Sequence, residues 1–285
     1  MVKRILLTAI LIFISNSSIA SAIYWNLFND TTSNTSVPSY VTYSTLEDML
    51  TDTNRVDIFS PDGYGSNVAN NLVATGSDGT HFWNFFNNLS TATSIPSFST
   101  YSDINGMLND TNRTGFYEPT GYSVEIANNI IATGSDGTTY WNLFNNLSNP
   151  NGIPVYATYA SLMDMLADTN RIDIFSPTGY SADIANNIVA SGSDGQFYWS
   201  LFNDLSSSGV PSYVTYATLD DMLKDENRLN LYEPIGYGLD IANRIIGSGA
   251  FVSNATNVNA PYTLPVLALL LFALTLQTKQ KRPHK

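Results

Sequence analysis

Residues 198–205 read YWSLFNDL, and the stretch recurs as YWNLFNNL at 140–147, FWNFFNNL at 82–89 and YWNLFNDT at 24–31. In the last copy Tyr198, Trp199, Phe202 and Leu205 fall at i, i+1, i+4 and i+7. That spacing is one face of a 3.6-residue period and predicts an amphipathic helix. The preceding GSDG, at 76–79, 134–137 and 192–195, offers Asp78, Asp136 and Asp194 as caps for free amides at its start. An Asn/Ser/Thr/Gly-rich loop follows and ends at Pro38, Pro96, Pro154 or Pro211.

Working outward, Trp25, Trp83, Trp141 and Trp199 are each 58 residues apart. Arg55, Arg113 and Arg171 keep that step, and Arg228 comes one residue early. Four tandem units result, 23–80, 81–138, 139–196 and 197–253. The first and third match at 34 of 58 positions without a gap, which establishes duplication.

Each unit carries two further helical patterns. In TYATLDDMLKDENR (215–228), Tyr216, Leu219, Met222 and Leu223 line one face, and Thr218 with Asp221 resembles a capping box. In SADIANNIVASG (181–192), Ile184, Ala185, Ile188 and Val189 form a narrow apolar stripe. Gly192 then sits where a helix-ending glycine belongs, as do Gly76, Gly134 and Gly249. The expected fold is mainly α, with about three short helices per unit, stacked as a solenoid-like or closed array. The segment SYVTY alternates weakly, so an α+β repeat is the alternative. Both end units keep the aromatic pattern where a solenoid would carry polar caps. The array therefore closes on itself or pairs its ends with other copies.

Composition narrows the chemistry. The chain has 285 residues, no cysteine, two histidines (His81 and His284) and a formal net charge of −12. Disulfide scaffolds, Cys-ligated zinc and thiol nucleophiles are excluded. The acidic balance argues against sequence-independent nucleic-acid binding. The run Asp-x-Asn-Arg ends the second pattern of every unit, at 52–55, 110–113, 168–171 and 225–228. Its oxygens suit calcium, but EF-hand spacing is absent and an Arg stands beside them. Arg55, Arg113, Arg171 and Arg228 are therefore read as structural, each ending a helix and pairing with a carboxylate of its own or the next unit. The tyrosines of the P-x-G-Y connector, Tyr64, Tyr122, Tyr180 and Tyr237, are the candidate ligand contacts. The tryptophans are read as core. Fourfold repetition argues against an asymmetric active site, so no catalytic residue, cofactor or metal is assigned.

The two ends are addresses. Residues 1–22 have Lys3 and Arg4, an apolar run from Ile5 to Ile14, and small residues Ala20 and Ala22 at a cleavage site for signal peptidase. At the other end come a linker and motif (254–261), an apolar stretch (262–277) that reads as a membrane helix, and a basic tail (278–285) expected in the cytoplasm. A Pro-containing motif, apolar helix and basic tail in that order resemble the PEP-CTERM sorting signal. Here Ala260-Pro261-Tyr262 stands where the family has Pro-Glu-Pro. The resemblance implies export, transient anchoring in the inner membrane, cleavage near Ala260 and Pro261 by an exosortase, and delivery to the cell surface or extracellular matrix. Removing both ends leaves six cations against 24 acids, a formal charge of −18. The functional expectation is a non-enzymatic, repeat-built surface or biofilm-matrix protein making weak contacts with polysaccharide or with other copies. The alternative is a carbohydrate-binding or calcium-dependent adhesin module.

Overall fold

The computed structural model describes residues 22–29, 37–87, 95–145, 153–205 and 209–253. They are built from strands. The first sheet orders its strands β16 (Ile245–Val252), β1 (Ala22–Phe28), β2 (Ser39–Tyr43) and β3 (Ile58–Phe59). The second holds β4 (Leu72–Ser77), β5 (Phe82–Phe86), β6 (Ser97–Tyr101) and β7 (Arg113–Tyr117). The third holds β8 (Ile130–Ser135), β9 (Tyr140–Phe144), β10 (Val155–Tyr159) and β11 (Ile174–Phe175). The fourth holds β12 (Ile188–Ser193), β13 (Tyr198–Phe202), β14 (Ser212–Tyr216) and β15 (Asn230–Tyr232). Every described pairing is antiparallel.

The first strand of each sheet faces the centre, and β4, β8, β12 and β16 neighbour one another in a closed cycle. The sheets thus stand as four blades of a propeller-like ring. Each sequence unit gives three strands to one blade and the innermost strand to the next. The last unit's innermost strand, β16, pairs with β1 and closes the circle. A ring has no end units, which is why no unit carries a polar cap.

The expectation of a mainly α chain is overturned. YWNLF is a strand in every unit, and the reason lies in burial on both faces. Trp25 and Leu27 enter the core shared with the second blade, beside Phe82 and Phe86. Tyr24 and Phe28 enter the core shared with the fourth, beside Trp199 and Leu201. The period is therefore two, but both faces are buried and even the one polar position, Asn26, Asn84, Asn142 or Ser200, is fully enclosed, so no apolar–polar alternation marks the strand.

The second expected helix shortens to six residues after a strand: α1 (Leu46–Thr51), α3 (Ile104–Asn109), α5 (Leu162–Ala167) and α7 (Leu219–Lys224). The third becomes one turn, α2 (Ser66–Ala69), α4 (Val124–Ala127), α6 (Ala182–Ala185) and α8 (Leu239–Ala242), followed by the inner strand. Gly76, Gly134, Gly192 and Gly249 end no helix. Each lies in an inner strand directly opposite a tryptophan. A Cβ at Gly192 would stand 2.6 Å from the Trp199 ring, so glycine is what lets the indole lie on the backbone. Trp83, Trp141 and Trp199 then donate their indole N–H to Thr133, Ser191 and Ser248 on the next blade's inner strand.

Anchorage by a membrane helix is likewise corrected. Among the described residues no helix is long and apolar enough to cross a membrane, and none exceeds six residues. The signal stretch 1–21, the motif at Ala260 and Pro261, the segment 262–277 and the tail lie outside the described residues. Ala22 is the first residue of β1, opposite Val252.

Candidate functional site

The Asp-x-Asn-Arg runs form four equivalent sites at the seams between blades. Thr45 caps α1 by accepting from the Asp48 amide and donating to its carboxylate, and the helix ends on Asp52 in the left-handed region, φ 51°. Asp and Asn tolerate that conformation, which lets the chain reverse and aim Asp52 inward. Asp52 is fully buried. Arg55 grips it bidentately, Nε to Oδ1 at 2.8 Å and Nη2 to Oδ2 at 2.6 Å. The Tyr43 hydroxyl donates to the same Oδ1 at 2.7 Å. Arg113–Asp110–Tyr101, Arg171–Asp168–Tyr159 and Arg228–Asp225–Tyr216 repeat the arrangement. Each of these four arginines thus pairs with a carboxylate of its own unit.

Electrostatics follow from that burial. Desolvation, then the carboxylate beside it, pushes the Tyr43, Tyr101, Tyr159 and Tyr216 hydroxyls far above the usual phenol range. Burial pulls the arginines down, but hydrogen bonding and the charge of the Asp outweigh it and leave them raised. A carboxylate so committed to a guanidinium offers a poor seat for a cation. Among the described residues no cluster of three or more His, Asp or Glu is placed to hold a metal ion.

Over each arginine lies the connector tyrosine of the preceding blade. Tyr64 stacks on Arg113 at 3.9 Å from ring centroid to guanidinium carbon, and Tyr122 on Arg171, Tyr180 on Arg228 and Tyr237 on Arg55 at 3.8 Å. A Phe of the second strand backs the guanidinium, as Phe144 does for Arg171 at 4.9 Å. The connector is clamped by its glycine. The Gly121 amide donates to the Ala167 carbonyl, and a Cβ there would stand 2.1 Å from the Asp168 carbonyl oxygen. Candidate ligand contacts and structural arginines, read as unrelated features in the sequence, thus form one site. Each such tyrosine stays 50–52% exposed. The ring presents four aromatic faces, each held by a cation fixed to a buried carboxylate. Both residue types recur on the 58-residue step, but nothing in linear order shows that a tyrosine meets the next unit's arginine.

The GSDG aspartates cap turns, not helices. Asp78 accepts from the Thr80 and His81 amides, linking β4 to β5. It also accepts from the Tyr140 hydroxyl of the next blade at 2.9 Å. Tyr198–Asp136 and Tyr24–Asp194 are the same bridge. Burial raises Asp78 and Asp136, but these hydrogen bonds outweigh it and hold both below the ordinary carboxylate range. At the fourth seam Phe82 replaces the tyrosine and Phe251 the aspartate, and the two rings meet edge-on at 5.3 Å.

No protein-family model matches the chain, and no curated protein matches it by sequence. Among solved structures it is similar to two of an exo-β-1,3-galactanase from Phanerochaete chrysosporium with β-1,3-galactotriose, each at 12% identity, with TM-scores of 0.37 and 0.38. In both, 76% of this chain and 48% of the galactanase are covered. It is also similar to the phage phi92 endosialidase, at 11% identity and a TM-score of 0.33, covering 75% of this chain and 37% of that one. The chain therefore spans about half the length of the galactanase and less of the endosialidase.

Proposed function

We propose that the ring is a non-enzymatic, four-site scaffold that makes weak multivalent contacts with polysaccharide. The observation that carries this reading is the fourfold platform of Tyr64, Tyr122, Tyr180 and Tyr237, each half-exposed over an immobilised arginine. An aromatic ring with a polar tip matches the apolar face and hydroxyl rim of a sugar. Holding the ring in place beforehand lowers the entropy cost of each contact. One platform binds weakly, whereas several on one rigid body raise avidity by about 10²–10⁴ toward a repeating polymer. Commitment of Asp52, Asp110, Asp168 and Asp225 to arginines supports a binding role over glycoside hydrolysis, which needs a working carboxylate pair.

Affinity electrophoresis through gels holding neutral and amino-sugar polysaccharides tests this reading. At least one polymer should retard the parent protein. Single Tyr→Ala variants should weaken retardation several-fold, and the quadruple variant should lose about 100-fold or more. A folded quadruple variant retarded as strongly as the parent would refute it, as would a parent that no polymer retards.

A further inference from the structure

The seam between the first and second blades differs from the other three. A cleft of about 180 Å³ opens there between the outer strands of the first blade and α3 of the second. Ile23, Val56, Phe59, Ile104 and Leu108 give it an apolar lining. Exposed Asp57, Asn105 and Ser44 stand beside them, and the buried Thr42 hydroxyl holds the Asp57 backbone, donating to its carbonyl and accepting from its amide. No Lys, Arg or His lines it. The nearest cation in sequence, Arg55, is held by Asp52.

The equivalent places elsewhere, found by the 58-residue step, are lined differently. In the second blade Gly115 replaces Asp57, and the ring of Tyr117, in the place of Phe59, comes within 2.6 Å of where a Cβ at 115 would stand. In the third, Lys224 lies 5.8 Å over Phe175 and pairs with Asp220, which stands in the place of Asn105. In the fourth, Asn230 replaces Asp57, and Phe197 and Tyr232 replace Ile23 and Phe59. The fourth also exchanges the polar pair, with Glu47 in the place of Asn105 opposite Asn230, so only the first seam sets an acid at the Asp57 position beside an amide at the Asn105 position.

We infer that this cleft binds one small hydroxylated ring carrying a protonated amine, an amino-sugar unit. The Asp57 carboxylate faces the ammonium in a charge-assisted hydrogen bond. Asn105 and Ser44 supply donors and acceptors for hydroxyls. Phe59 and the aliphatic side chains receive the apolar face of the ring. The volume is well below the roughly 300–1,000 Å³ of sites for larger ligands, so it takes a single ring. The site is separate from the tyrosine platforms and does not depend on them.

The test is calorimetric or NMR titration of the full chain at pH 6 with glucosamine, against N-acetylglucosamine and glucose. Glucosamine should saturate one site per chain and bind at least tenfold more tightly than either comparator. Asp57→Asn should abolish that preference, and Asn105→Met should weaken binding at least tenfold. Both replacements occur naturally at the equivalent places, Asn230 and Met163, so the ring accommodates them. The variant lacking all four platform tyrosines should bind glucosamine unchanged, which separates this site's failure from that of the platforms. Absence of saturable binding, four sites per chain, or undiminished binding by Asp57→Asn would each overturn the inference.

Discussion

The pair Phe82–Phe251 can be exchanged for the pair used at the other three seams, and the outcome tests how the ring closes. Phe82→Tyr alone puts a hydroxyl at a position 3% exposed, facing an aromatic edge. An unpaired buried hydroxyl costs about 1–3 kcal/mol. Phe251→Asp alone removes the edge-to-face contact, about 0.5–1.5 kcal/mol, and sets a partly buried carboxylate against a phenyl ring. The double variant recreates the Tyr–Asp bridge seen at 2.9–3.1 Å elsewhere. A hydrogen bond to a charged acceptor is worth about 1.5–3 kcal/mol. Urea denaturation of the two single variants, the double variant and the parent should therefore give a favourable coupling of about 1.5–3 kcal/mol. In a ring of this size that is a Tm difference of about 3–12 °C from the sum of the singles. Costs adding to within about 0.5 kcal/mol would mean that the two positions do not meet. In that case β16 does not complete the first blade as described.

Further outcomes follow from the same geometry. Arg171→Ala strands Asp168 without a countercharge in a buried site and should cost about 3–5 kcal/mol in urea denaturation, with Arg171→Lys falling between because lysine cannot grip bidentately. Gly192→Ala drives a methyl into the Trp199 ring and should cost about 1–3 kcal/mol, with altered tryptophan fluorescence marking the displaced indole. Stability should fall in alkali. Tyr156 is pushed by burial from the ordinary 10 up to about 12, so its contribution is intact below pH 10 and is lost as pH rises from 10 toward 12, at about 1 kcal/mol per pH unit. The more strongly raised Tyr43, Tyr101, Tyr159 and Tyr216 steepen the fall, and Tm measured from pH 8 to 11 checks it. At the acid end the lowered Asp78 and Asp136 act in the opposite sense. Their contribution is present above the unfolded carboxylate range and fades as pH drops through it, and a Tm series from pH 6 to 2 reads it.

What the sequence made legible was the 58-residue step, because identity at a fixed step needs no structural interpretation. The strands were hidden by the same burial that makes them stable. Trp25 and Leu27 face one neighbour, Tyr24 and Phe28 the other, and the single polar residue between them, Asn26, is buried as well, so no alternation of apolar and polar positions betrays the period of two. Gly192 misled for a related reason. A glycine after an apolar stripe has two physical uses, ending a helix or admitting an aromatic ring, and only the pairing with Trp199 distinguishes them. The Arg–Asp part of the platforms was readable because its members are three residues apart. The tyrosine was not, since each meets another unit's arginine, and ring closure sets Tyr237 of the last unit on Arg55 of the first.

Departures from the repeat carry the information that the repeat conceals. Three seams join tyrosine to aspartate, and at the fourth both members change together, Phe82 with Phe251, although the two residues are far apart in sequence. Independent drift would leave a hydroxyl or a carboxylate facing an apolar ring, at the cost just estimated. The paired change is what a closed ring requires and what an open array would not enforce, because Phe82 and Phe251 meet only where β16 returns to β1. The first outer seam is the converse case. There Asn105 departs from Glu47, Met163 and Asp220 at the other seams, beside an Asp57 that recurs as Asp173 in the third unit, and the cleft stays open where Tyr117 or Lys224 covers its counterparts. One departure restores closure and the other breaks equivalence, so the ring is symmetric where it must hold together and asymmetric where a single small ligand would be chosen.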